Sequence, residues 1–146
     1  MALPEIMKRT PNIASICVDE VYANTIRGCV YTMYEKKAFD FEDIAGLVNI
    51  LENVMDAIRY PEATVHFRSF KGAEGQKAEM IDCIEKQMSV EELLEKAGRV
   101  DTLVMTVESR NNATWQGKIY SSRCDETCEF ASELGAFKFI NTKIIN

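Results

Sequence analysis

The chain predicts an α+β fold: two tandem β-β-β-α repeats packed as an internal pseudo-dimer, with a helical insert between them. Three observations predict it. A T-x-x-G-x-x-Y pattern at Thr25, Gly28 and Tyr31 returns 89 residues later as Thr114, Gly117 and Tyr120. Ten residues beyond each tyrosine stands a phenylalanine, Phe41 and Phe130, and each is followed by an apolar helical stretch in which Gly46 matches Gly135. The apolar run Ile13, Ile16, Val18 falls without a gap on Thr102, Met105 and Val107. Identity between the copies is sparse, and the constant register is what links them. The expected organisation is one domain over 1–146, with repeat 1 at 13–70, the helical insert at 71–99 and repeat 2 at 100–146.

In the first repeat, residues 13–19 and 25–34 are rich in β-branched and aromatic side chains and predict strands, with a shorter one at 38–41. From about residue 42 to 59, Ile44, Leu47, Val48, Leu51, Val54, Met55 and Ile58 recur at intervals of three and four, the stripe of a helix lying on a sheet. Asp40 is placed to cap its first turn and Asp43 to face the positive end of its dipole. Pro61 closes it, because the residue before a proline is pushed out of helical geometry. Residues 63–70 alternate Val65 and Phe67 with His66 and Arg68, predicting a further strand.

The second repeat follows the same plan. Residues 100–110 alternate as a strand, Asn111-Asn112 is a turn signal, and 113–121 returns as the partner strand. Residues 124–127 read as a loop, 128–130 as a short strand and 131–142 as a closing helix that buries Leu134, Ala136, Phe137 and Ile140. In the insert, 71–76 reads as a loop. Met80, Ile81, Ile84 and Met88 mark one amphipathic series, and Val90, Leu93, Leu94 and Ala97 another. The phase slips at Ser89, which with Glu92 forms a capping box. The insert is therefore two short helices, or one kinked helix, ending at Gly98. Gly28 and Gly117, at matched strand positions, predict a bulge or a close backbone approach.

The totals narrow the functional classes. A chain of 146 residues with 47% hydrophobic content can bury one core without staples. A net charge of −6 and the lack of any lysine–arginine stripe disfavour direct nucleic-acid binding. No targeting signal or membrane span is recognised, so the expected location is cytoplasmic. Five cysteines (Cys17, Cys29, Cys83, Cys124 and Cys128) are an odd number and read as reduced thiols there.

The stretch Arg110 to Tyr120, R-N-N-A-T-W-Q-G-K-I-Y, together with Phe130-Ala131-Ser132-Glu133-Leu134, resembles the close of a group of small uncharacterised proteins from anaerobic Firmicutes. Gly28 to Tyr31, Tyr60-Pro61-Glu62-Ala63-Thr64 and Arg68-Ser69-Phe70 resemble the front half of the same group. This chain departs from the pattern in its last helix, where Gly135 replaces the usual acidic residue. The resemblance implies a shared fold and lineage and transfers no mechanism.

Trp115, the only tryptophan, fits either an exposed aromatic anchor for a partner or a buried core residue. Its repeat counterpart is the apolar Ile26, which favours burial. Cys124 and Cys128 lack the second ligand pair that a structural zinc site needs. His66, the lone histidine, has no nucleophile motif beside it. No catalytic constellation emerges, so an enzyme is not expected, and neither a cofactor nor a metal is implied. From Ala73 to Arg99 there are seven acidic and four basic residues. Glu91, Glu92 and Glu95, beside Met80 and Met88, are the expected partner-binding residues. The expectation is a non-catalytic acidic protein-binding module or regulator, and one form of it is an anti-CRISPR-like charge mimic that inhibits a nucleic-acid-binding partner. The alternatives are a small-ligand sensor that binds between the repeats, and a purely structural or assembly subunit. A homodimer is compatible with each.

Overall fold

The computed structural model describes residues 3–22, 24–60, 85–111 and 114–145. A short helix α1 (Glu5–Lys8) precedes β1 (Ala14–Tyr22), β2 (Thr25–Thr32), β3 (Glu35–Phe41) and α2 (Ile44–Ile58). After the connector come α3 (Val90–Leu94), β4 (Asp101–Ser109), β5 (Gln116–Ser121), β6 (Glu126–Phe130) and α4 (Glu133–Ile140), which runs on into a π-helical turn at Asn141–Ile145. The predicted strand at 63–70 with His66, the loop at 71–76, Met80, Ile81, Ile84 and Cys83 lie outside the described residues.

The architecture is α+β, dominated by a six-stranded antiparallel sheet in the order β3-β2-β1-β4-β5-β6. Two meanders meet at the centre, where β1 pairs with β4 and Ser15 stands opposite Val104. The outer pairings run in matching register. Val18 faces Gly28 and Val107 faces Gly117, and each strand bulges at the next residue, Asp19 or Glu108. Gly28 then faces Phe41, as Gly117 faces Phe130. A Cβ on Gly28 would sit 1.8 Å from the Cys17 carbonyl oxygen, and one on Gly117 would sit 2.0 Å from that of Thr106. The bulged backbone passes too close for any side chain, which is why the motif needs glycine in both places. The β2–β3 ladder has an irregularity between Val30 and Thr32 that β5–β6 lacks, and the tips of the two hairpins differ as well. Thr32 pairs with Glu35 around Met33 and Tyr34, whereas Ser121 pairs with Glu126 around a longer turn in which Asp125 has φ 54°.

Helix α2 packs on β2 and β3, and α4 packs on β5 and β6. The caps correspond as well: the Asp43 side chain accepts from the Gly46 amide, and the Ser132 hydroxyl accepts from that of Gly135. Asp40 is therefore not the cap. It pairs with Cys29 inside β3, which ends at Phe41 as expected, and the helix starts only at Ile44, so Asp43 takes the cap position. Helix α2 ends with Arg59 in the left-handed region, φ 57°, and the Tyr60 amide donating to the Met55 carbonyl. In α4 the buried residues are Ala136, Phe139 and Ile140, and Leu134 is 75% exposed. The apolar phase is thus set by Phe139, and the expected burial of Leu134 is corrected. No helix among the described residues is long and apolar enough to cross a membrane.

Buried polar side chains close the central seam. Asn12 extends the β1–β4 ladder by side chain: its Nδ2 donates to the Val107 carbonyl at 2.8 Å, and its Oδ1 accepts the Val107 amide at 3.1 Å. At the other end Asp101, 4% exposed, accepts from the Ser121 hydroxyl at 2.6 Å and from the amides of Thr102 and Arg123. Each satisfies backbone groups that burial would otherwise leave without partners.

Candidate functional site: the connector face and the first bulge

The described part of the connector, residues 85–100, is tied down near both its ends. Its entry is held where the amides of Gln87 and Met88 donate to the Met33 carbonyl, 2.7 and 3.2 Å away. Its exit is held where Val100 donates to Val18 at 2.8 Å, Gly98 to Thr102 Oγ1 at 2.9 Å and Arg99 to Asp19 Oδ1 at 3.0 Å. Gly98 runs so close to β1 that a Cβ would meet the Val18 amide nitrogen at 2.5 Å. Between these ties Ser89 caps α3 by accepting the Glu92 amide at 3.1 Å. The helix stops at Leu94, earlier than the expected end at Gly98, because the chain must turn down onto Val18.

This anchoring separates the predicted site residues. Glu91, Glu92 and Glu95 are exposed, and Leu93 beneath them is fully buried. Met88 is only 6% exposed and belongs to the core, so its expected role as a contact residue is corrected. Met80 lies outside the described residues. Lys96 places its ammonium 5.0 Å from the centre of the Tyr31 ring, a cation–π contact.

Trp115 is not an exposed anchor. It has no accessible surface, its indole N–H donates to Glu52 on α2, and its backbone amide donates to Glu133 at 2.9 Å. The same Glu52 pairs with Arg110 at 3.2 Å, and Arg110 also reaches Asp56 at 2.8 Å. Gln116 laces the preceding turn. Its oxygen accepts from Ser109 Oγ and the Asn111 amide, and its nitrogen donates to Thr114 and to the Ala131 carbonyl. Thr114, Trp115 and Gln116, in the most distinctive text of the sequence, thus help hold the second hairpin to the two helices. Glu52, Arg110, Asn12 and Asp101 gave no signal in the sequence, since each looks like an ordinary surface polar residue until its distant partner is placed.

At the first bulge the counterpart of Gln116 is Arg27, and the place is open. A cleft of about 340 Å³ is lined by Asp19, Glu20, Arg27, Asp40, Glu42 and Arg99. Arg27 leans over Tyr22, 4.8 Å from the ring centre, donates to its hydroxyl at 2.9 Å and pairs with Glu20 at 3.4 Å. The four carboxylates outnumber the two guanidinium groups, so the cleft continues the acidic character of the connector. Among the described residues, no group of three or more His, Cys, Asp or Glu side chains is arranged to hold a metal. Cys17, Cys29, Cys124 and Cys128 are free thiols. No family model matches the chain, and no curated protein or solved structure matches it.

Proposed function

We propose that the chain is a duplicated β-β-β-α unit packed as an internal pseudo-dimer, and that it works as a non-catalytic, acidic protein-binding module or regulator in the cytoplasm. The matching bulges, caps and glycines of the two meanders support the duplication. One observation carries the binding role: a five-residue helix, capped and anchored by buried Leu93, presents Glu91, Glu92 and Glu95 to solvent. An anchored backbone has little freedom left to lose on association, and the carboxylates it carries steer a basic partner by charge. A partner that itself binds nucleic acid has such a basic surface, and an inhibitor acting by charge mimicry is the form of this reading we favour. The resemblance to the Firmicutes group is compatible with it and adds no activity.

The test is charge reversal. Glu91→Lys, Glu92→Lys and Glu95→Lys together should weaken capture of basic partners from the native cell by at least about tenfold and leave Tm within about 2 °C, since exposed charges add little to stability. Undiminished capture would remove the electrostatic role. A large fall in Tm would make the three side chains part of the fold and leave α3 a connector.

A further inference from the structure

We propose that Cys17 and Cys29 form a dithiol oxidation site, which a small disulfide of the oxidised-glutathione type converts into a cross-strand disulfide. β1 and β2 set the two residues directly opposite each other. Directly opposed residues of an antiparallel ladder have Cα atoms about 4.5–5.5 Å apart, inside the ~4.4–6.8 Å span that a disulfide bridges. As directly opposed residues of one ladder, the two side chains leave the sheet on the same side. The register therefore supplies what a bond needs without moving the backbone. At the corresponding positions of β4 and β5 stand Thr106 and Lys118, so the site belongs to the first meander alone.

Exposure sets the order of events. Cys17 is buried and Cys29 is half-buried, so a reagent from solvent meets Cys29 first. The Cys29 thiol loses its proton to water, and its sulfur attacks one sulfur of the small disulfide, breaking that S–S bond and releasing one thiolate. The Cys17 thiolate then attacks the Cys29 sulfur of the mixed disulfide, forming the cross-strand bond and expelling the second thiolate. The protein dithiol loses two electrons and two protons, and one small disulfide becomes two thiols. Burial raises both thiols, Cys29 up to about 11, and Asp19 and Asp40 oppose its thiolate further; Lys96 acts the other way on Cys17. The pair is thus slow to oxidise at neutral pH and quickens as pH rises.

The full chain, folded, is treated with excess oxidised glutathione at mildly alkaline pH, alkylated and cut with trypsin. The expected product is peptide 10–27 linked to peptide 28–36, with two hydrogens fewer than the sum of the free peptides and separating on reduction. In Cys17→Ser the mixed disulfide should instead persist on Cys29. Both cysteines remaining open to alkylation after treatment, a bond found only between other cysteines, or a Cys17–Cys29 bond that forms only in urea would each overturn the proposal. The wild-type mapping decides the matter even where the variant fails to fold.

Discussion

Ser15 of β1 lies directly opposite Val104 of β4, the residue 89 positions after it. Ala14 opposite Met105 and Ile16 opposite Leu103 flank this pair, so the ladder is symmetric about it at the middle of the sheet. The relation extends to the seam clamps. Asn12 binds the backbone of Val107, and Asp101, the counterpart of Asn12, pairs in the ladder with Val18, the counterpart of Val107.

Asn12 should therefore be a stability residue of the seam. Asn12→Ala leaves the amide and the carbonyl of Val107 buried without partners, and each such group costs about 1–3 kcal/mol. We expect a loss of about 2–4 kcal/mol in urea unfolding. Asn12→Asp should recover little of it, because the carboxylate meets the Val107 carbonyl where the amide nitrogen donated. A loss below about 1 kcal/mol for the alanine variant would show that the ladder closes without the side chain.

The glycines of the two bulges should be far less tolerant than the glycines of the helices. Gly28→Ala and Gly117→Ala place a methyl inside the van der Waals radius of a backbone oxygen, 1.8 and 2.0 Å away, and only backbone movement can relieve that. We expect each to cost about 2–4 kcal/mol. Gly46→Ala meets the Asp43 carboxylate at 3.3 Å, the end of a side chain that can give way, and it gains helix propensity of up to about 1 kcal/mol. Its stability should stay within about 1 kcal/mol of wild type.

Much of this was legible in the sequence, for a reason these glycines illustrate. Gly28 and Gly117 both stand where a bulged backbone passes close, each facing a phenylalanine, Phe41 or Phe130, so their common spacing pointed to two meanders of like strand order. Local signals also held: the Ser89 hydroxyl caps α3 by accepting the Glu92 amide, and the stripe of α2 buries Leu47, Leu51, Val54 and Met55. What failed was whatever depends on distant partners. Leu134 looked like core by periodicity, yet the helix is phased by Phe139. The charged Glu35-Lys36-Lys37 did not read as strand, but it begins β3 at the sheet edge, where exposed lysines pair on one side only and discourage further strand addition. Val104 and Thr106, which alternate with Leu103 and Met105 along β4, are buried as they are, so this central strand is enclosed on both faces.

The Trp115–Glu52 hydrogen bond should couple α2 to the second hairpin. Trp115→Phe keeps most of the buried area and removes the donor, and Glu52→Ala removes the acceptor together with one partner of Arg110. We expect each single change to cost about 1–3 kcal/mol. The double variant should cost less than the sum by about 1 kcal/mol, as for residues sharing one interaction. Strict additivity would mean that the two side chains contribute independently.

The thiol of Cys29 should make stability fall in alkaline solution. Burial, then the neighbouring Cys17 and the carboxylates of Asp19 and Asp40, raise it from 9.0 to about 11. Between those values the unfolded chain releases the proton and the folded chain keeps it. The unfolded state therefore binds fewer protons, and stability, fully present below pH 9, is lost as pH climbs toward 11. Cys17, Tyr31 and Tyr34 are also raised by burial and add to the same trend, so the informative quantity is a difference. The urea midpoint of the wild type should drop more steeply from pH 9 to 11 than that of Cys29→Ser, whose hydroxyl does not titrate. Equal slopes would mean that Cys29 gives up its proton as readily in the folded chain as in the unfolded one.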